Sequence, residues 1–168
     1  MTASHALFCF EHQKTTKNVD YYFGYRSSKD YLYHFNAGGC TWWWGERKTD
    51  TEFDEDYAYV KLSEPVGDVT GWLGCCVLSD ADASSETFYN AGYRSGLIMA
   101  SMGDLSPASD KLFYHYMDTE AGYSGGPVYD VDGYAVGINV AENPGAGYNL
   151  ARRITGGILD HMRSNGLF

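Results

Sequence analysis

The segment Asp118–Tyr129 reads DTEAGYSGGPVY, with Gly122, Gly125 and Gly126 bracketing Ser124. A serine nucleophile needs an exposed hydroxyl, a backbone free to take unusual dihedrals, and neighbouring N–H groups able to face a developing oxyanion. Flanking glycines suit all three needs. The same composition also makes an ordinary hairpin turn, so the segment has to be weighed with the rest of the chain. A hydroxyl is a weak nucleophile at neutral pH. It works beside a base that takes its proton, usually histidine, which a carboxylate in turn orients. The candidates are His5, in the small-residue segment TASH at Thr2–His5, and Asp56, which opens the run DYAYVKL. Taken singly, His5 reads as an ordinary histidine near a chain end. Asp56, beside Asp54 and Glu55, reads as a solvated acid.

The elements that must position these groups are mostly strands. The chain has 168 residues, 44% hydrophobic and 20% charged, which excludes a wholly disordered or collagen-like chain. That length suits one ordinary domain or two small ones and buries roughly 70% of the unfolded surface. No apolar run approaches the roughly 20 residues of a membrane-crossing helix, so a membrane span is not expected. The net charge of −10 opposes phosphate backbones, so nucleic acid is not expected as the main partner. Fifteen tyrosines and twenty glycines, with few prolines, describe short strands joined by turns and predict an all-β domain.

Along the chain, Tyr21–Phe35 reads as two aromatic strands around a polar turn at Arg26–Asp30, followed by a turn at Asn36–Gly39. Cys40–Trp44 carries three consecutive tryptophans, which cannot all face one side of a strand, so at least one belongs at an interface or rim. Glu46–Glu55 reads as a polar, solvated loop, and Tyr57–Leu62 as a strand. Val66–Val77 holds turn and strand signals, and the small polar stretch Ser79–Ser85 marks a boundary between halves 1–80 and 81–168. Further strands are expected at Thr87–Tyr89, Gly96–Ala100, Leu112–Met117, Gly126–Tyr129, Ala135–Asn139 and Tyr148–Ala151. A helix is expected over Gly156–Ser164, capped by Thr155, with Ile158, Leu159 and Met162 on one side and Gly166 as terminator.

Cys75 and Cys76, adjacent in a strand, point to opposite faces and are poor partners for each other. Bridges to Cys9 or Cys40 remain open, with no connectivity derivable. His5, Cys9 and His12 lack a second ligand pair at zinc-site spacing, so no metal is expected.

The three motifs occur in the order His, Asp, Ser, separated by 51 and 68 residues. In that order and spacing they resemble the chymotrypsin-fold serine proteases. PVGDVTGWLG at 65–74, NAGY at 90–93 and AVGIN…GYNLARRIT at 135–155 are similar to the bacterial glutamyl-endopeptidase-like branch. The resemblance implies two antiparallel β-barrels followed by a C-terminal α-helix, with a catalytic cleft between them. It implies His5 as general base and acid, Asp56 as its orienting carboxylate and Ser124 as nucleophile. The N–H groups of Gly122 and Ser124 would form the oxyanion hole, and Asp118, Thr119, Asn139 and Gly147 the substrate pocket. It implies a serine endopeptidase acting on peptide or protein, without cofactor, as a monomer. Secretion is an expectation from the acidic charge and possible disulfides.

The chain also departs from the family. Only Met1–Ser4 precede His5, so the first barrel is expected to be incomplete at its N-terminus, with open edges and exposed apolar surface. Ala6 stands where many members have a cysteine, and Tyr123 where Asp, Asn or Gln is more usual. Asn139 replaces the histidine expected to bind a substrate carboxylate, so no side-chain preference follows. Two alternatives stand beside the protease reading. One is an inactive protease-like fragment that binds peptide or a protein partner. The other is a carbohydrate-binding module suggested by Trp42–Trp44.

Overall fold

The computed structural model describes residues 1–9, 12, 14–15, 19–27, 29–36, 40–143 and 145–167. The expected turn at Asn36–Gly39 falls mostly outside the described residues.

The first half is built from short strand pairs. A 3-10 turn at Ser4–Ala6 leads into β1 (Phe8–Cys9) and β2 (Lys14–Thr15). Then come β3 (Asp20–Phe23) with β4 (Tyr33–Asn36), and β5 (Thr41–Trp44) with β6 (Ala58–Lys61). Each pair is antiparallel and forms its own two-stranded sheet. The aromatic hairpin stands as expected, Tyr22 packing edge-on to Tyr25 and Tyr31. The tryptophans divide as strand alternation requires: Trp43 stacks on Tyr59 while Trp44 lies at the exposed rim. A 3-10 turn at Phe53–Glu55 delivers the chain into β6.

Between the halves the expectation was incomplete. Val66–Val77 contains a helical turn, α1 (Gly67–Thr70), before β7 (Gly74–Cys75). The polar stretch Ser79–Ser85 holds α2 (Asp80–Ala83), whose N-cap Ser79 accepts from Asp82 N–H.

The second half is one continuous sheet. Its strands are β8 (Phe88–Arg94), β9 (Leu97–Gly103), β10 (Leu105–Ser109), β11 (Leu112–His115), β12 (Pro127–Tyr129), β13 (Tyr134–Asn143) and β14 (Tyr148–Arg153). They run in the order β10-β11-β14-β13-β12-β8-β9, and β7 pairs with β13 in parallel, making eight strands. The architecture is thus β with a closing helix, as expected, although among the described residues neither half closes its hydrogen-bond ladder into a full ring. Alternation on β8 sends Phe88 and Asn90 inward, whereas the central strand β13 is buried along most of its length.

Among the described residues, three apolar clusters hold the molecule. Phe88, Leu105, Phe113, Met117, Val128 and Val136 fill the second-half sheet. Helix α3 (Gly156–Ser164) buries Ile158, Leu159 and Met162, which pack with Tyr59 of β6 and Ile154. Each such side chain taken from water contributes about 1.5–3 kcal/mol, enough to offset two glycines in the first helical turn. A third cluster joins Ala3 to Ile138, Val140 and Leu150, with Phe53 and Tyr57 against it. That cluster lies directly beneath the segment carrying His5.

Candidate active site

The serine loop connects β11 to β12 and is held by its own backbone. Tyr123 N–H donates to Glu120 O (3.0 Å), Gly126 N–H to Tyr123 O (2.9 Å) and Gly125 N–H to Asn139 O (2.8 Å). Asn139 N–H returns a bond to Gly126 O (2.9 Å). Gly122 (φ +106°) and Gly125 (φ +87°) take conformations that L side chains rarely adopt. At Gly125 a Cβ would also lie 2.1 Å from Thr2 Oγ1 and 3.0 Å from Ala3 N, so the N-terminal segment rests on the residue after Ser124. Among the described residues, the N–H groups of Gly122 and Ser124 meet no backbone acceptor, unlike those of Tyr123 and Gly125. Two N–H groups without backbone partners beside a half-buried serine are what an oxyanion would require.

The histidine and the acid arrive from the other side. Thr2 and Ala58 exchange backbone hydrogen bonds of 2.8 and 2.7 Å, tying the N-terminal segment to β6. The Ser4–Ala6 turn then swings His5 over Asp56, which sits at the end of the Phe53–Glu55 turn. Asp56 is wholly buried. Its Oδ1 accepts from Ser4 Oγ–H (2.8 Å) and His5 N–H (3.0 Å), and its Oδ2 lies 2.6 Å from His5 Nδ1. Burial pushes this carboxyl up, but the hydrogen bonds and charge of His5, with the Ser4 hydroxyl, outweigh it and hold it below the ordinary carboxylate value. The neighbouring Asp54 instead faces Lys111 at 3.8 Å. Of the two acids, Asp56 is the one that is buried and held by hydrogen-bond donors.

Sequence reasoning missed one residue. Glu46–Glu55 was expected to be a solvated loop, yet Arg47 within it has a side chain only 5% exposed and forms an ion pair with Asp56 Oδ2. Its Nε–H donates to Thr49 O (2.9 Å) and its Nη2–H to Asp50 O (2.6 Å). A charge in a polar run gives no signal of which way it points.

His5 and Asp56 are thus joined, whereas no hydrogen bond joins His5 to Ser124 among the described residues. Such bonds are often long or poorly aligned without substrate. Ser124 opens on a recess walled by Thr2, Phe23, Tyr93, Ile98 and Tyr123. Tyr123, the unusual residue before the serine, is buried with its ring against Gly92, where a Cβ would come within 2.5 Å of the ring carbon Cγ.

The remaining pocket candidates divide. Asn139 is buried on β13 and bonded to the serine loop, with a register irregularity just beyond it, and its Oδ1 lies 3.1 Å from His115 Nε2. Thr119 is buried, its hydroxyl unpartnered. Asp118 is exposed, and its carbonyl accepts from Ser101 Oγ–H. Gly147 lies in the β13–β14 turn, bonded to Asn143 O rather than to the serine loop.

All four cysteines are free, so neither bridge left open by the sequence forms. Cys9 Sγ lies 3.1 Å from His12 Nδ1, but no group of three His, Cys, Asp or Glu among the described residues could hold a metal ion. No described helix is long and apolar enough to cross a membrane.

No protein-family model and no curated protein sequence matches the chain. Solved structures do. A Glu endopeptidase in complex with MPD superposes with a TM-score of 0.83 at 17% identity, covering 99% of this chain and 80% of that one. Protease Anisep from Arthrobacter nicotinovorans gives 0.64 at 16% identity, covering 90% and 74%. Tobacco etch virus protease complexed with product gives 0.51 at 14% identity, covering 84% and 62%. At such identities the likeness speaks for the fold. The fold of this chain is that of the chymotrypsin-type serine proteases.

Proposed function

We propose that the chain is a serine endopeptidase acting through His5, Asp56 and Ser124. His5 Nε2 takes the Ser124 Oγ proton as Oγ attacks the peptide carbonyl. The oxyanion is received by the N–H groups of Gly122 and Ser124. Collapse breaks the C–N bond, His5 passes the proton to the leaving amine, and water hydrolyses the acyl-enzyme by the same relay. Asp56 keeps Nδ1 protonated, leaving Nε2 free to accept.

The observation that carries this reading is the 2.6 Å pairing of half-buried His5 with buried Asp56, on a segment seated against Gly125. Three sequence motifs far apart in the chain meet there. The halves 1–80 and 81–168 would each supply one side of the cleft, with Asp118, Thr119, Asn139 and Gly147 as the substrate pocket. The enzyme would act as a secreted monomer without cofactor. Its acidic composition supports secretion, while the free cysteines lend it none. Ser124→Ala should lower peptidase turnover by roughly 10⁶ with no change in unfolding midpoint. Undiminished turnover in that variant would sink the assignment.

A second reading, an inactive protease-like domain that binds peptide or a protein partner, draws support from the absence of a His5–Ser124 hydrogen bond. It predicts peptide affinity without cleavage, indifferent to Ser124→Ala.

A further inference from the structure

Asp56 Oδ2 serves two partners. His5 Nδ1 lies 2.6 Å away, and the Arg47 guanidinium shares the same oxygen while its Nη1 lies 3.2 Å from His5 Nδ1. A guanidinium carries no acceptor and stays charged in proteins. When Nδ1 is protonated, two N–H groups therefore crowd one carboxylate oxygen. When the imidazole gains its second proton, two cations do. The guanidinium is well placed to stay: it is nearly buried, tied to the carbonyls of Thr49 and Asp50, and stacked over Phe53 at 5.5 Å.

The other charged groups of this region are turned elsewhere. Glu46, Lys48, Glu52, Asp54 and Glu55 line a separate solvent-open recess beside Tyr57, and Lys111 of β11 pairs with Glu55 and Asp54. On the N-terminal turn Ser4 supplies a neutral donor. Across the cleft the serine loop presents the Ser124 hydroxyl; of its two carboxylates, Glu120 pairs with Arg94 at 2.7 Å and Asp118 is exposed.

We propose that Arg47 is a positioning residue of the triad: it clamps the Asp56 carboxylate through Oδ2 and draws off charge that would otherwise stabilise the His5 imidazolium. The inference rests on the protease reading for its consequence and on the His5–Asp56–Arg47 geometry for its substance. Arg47 trades base strength for a carboxylate fixed in one plane.

The test follows fluorophosphonate inactivation of Ser124 against pH in the full chain, with Arg47→Gln and Arg47→Lys. In Arg47→Gln the pH of half-maximal rate should rise by about one unit or more, as expected when a cation within hydrogen-bond range is removed. Arg47→Lys keeps the charge but loses the planar fork. Its acid limb should stay in place while the plateau rate falls at least about tenfold. A folded Arg47→Gln with an unmoved limb overturns the proposal. Where Arg47→Gln fails to fold, Arg47→Lys decides, and an unchanged plateau overturns it.

Proton NMR of the His5 Nδ1–H signal in Ser124→Ala reads the dyad without catalysis. The pH at which that signal changes should rise equally when Arg47→Gln is added, and an unmoved signal overturns the proposal. Absence of any labelling in the parent chain would count against the protease reading alone, since the NMR arm does not depend on it.

Discussion

The two sides of the candidate cleft are built differently. Ser124 hangs between strands of a continuous eight-stranded sheet filled by fully buried side chains such as Phe88, Phe113 and Val128. His5 lies in one 3-10 turn and Asp56 at the end of another, beside the short strand pairs of the first half. What fixes them is polar: the Thr2–Ala58 backbone exchange, four donors on one buried carboxylate, and an arginine anchored to loop carbonyls. The strands flanking the Ser124 loop are therefore fixed by packing, and His5 with Asp56 by side-chain hydrogen bonds. A buried polar network depends on every member being satisfied.

The sharpest way to break this contrast is to delete a core ring. Phe113→Ala should cost about 3–5 kcal/mol in urea unfolding, because the sheet around it cannot collapse into the void. Asp56→Asn should cost about 2 kcal/mol, since Arg47 would lose its buried counter-charge while the shape is kept. A loss from Asp56→Asn no greater than that of an exposed site would mean the polar network does not hold the first half together. At the small end, Tyr22→Ala on the exposed aromatic hairpin should stay within about 0.5 kcal/mol. Amide exchange should rank the regions the same way, with β8 and β11–β14 protected far longer than β3–β4.

Acid should also separate the halves. Burial holds the His115 imidazole on β11 below its ordinary value, against a weaker opposing bond to Asn139. The unfolded chain then takes the proton first. The contribution of His115 is whole above about pH 6.5 and is lost as the pH falls toward the lower folded value. Asp56, also held low, keeps its contribution above about pH 4 and loses it below. His115→Gln, which retains a donor for Asn139, should flatten the stability profile between about pH 6.5 and 5. A profile as steep as the parent's would place the sensitivity elsewhere.

Much of this was legible in the chain because period and punctuation carry it. The strands around Phe88, Leu112, Ala135 and Tyr148 alternate or run apolar between turns, and Gly156–Ser164 repeats at helical spacing. β10 escaped because Leu105–Ser109 carries a proline and serines, the residues that usually end a strand; its Pro107 is tolerated on an outermost strand of the sheet. α1 and α2 are single turns, too short to show a helical period. The serine motif was legible because its glycines answer a backbone demand. Arg47 was not, since its role comes from a buried partner nine residues along the chain that no local pattern reveals. Sequence pointed to Asp56 and His5, and only folding showed what else holds Asp56.

The account turns on His5, Asp56 and Ser124 acting as one proton relay. Fluorophosphonate treatment followed by peptide mass mapping tests that most directly, comparing the parent chain with His5→Ala. The account predicts a single adduct on Ser124 that forms at least about a thousandfold more slowly without His5. An adduct on another residue, or equal labelling of Ser124 in both chains, would contradict it.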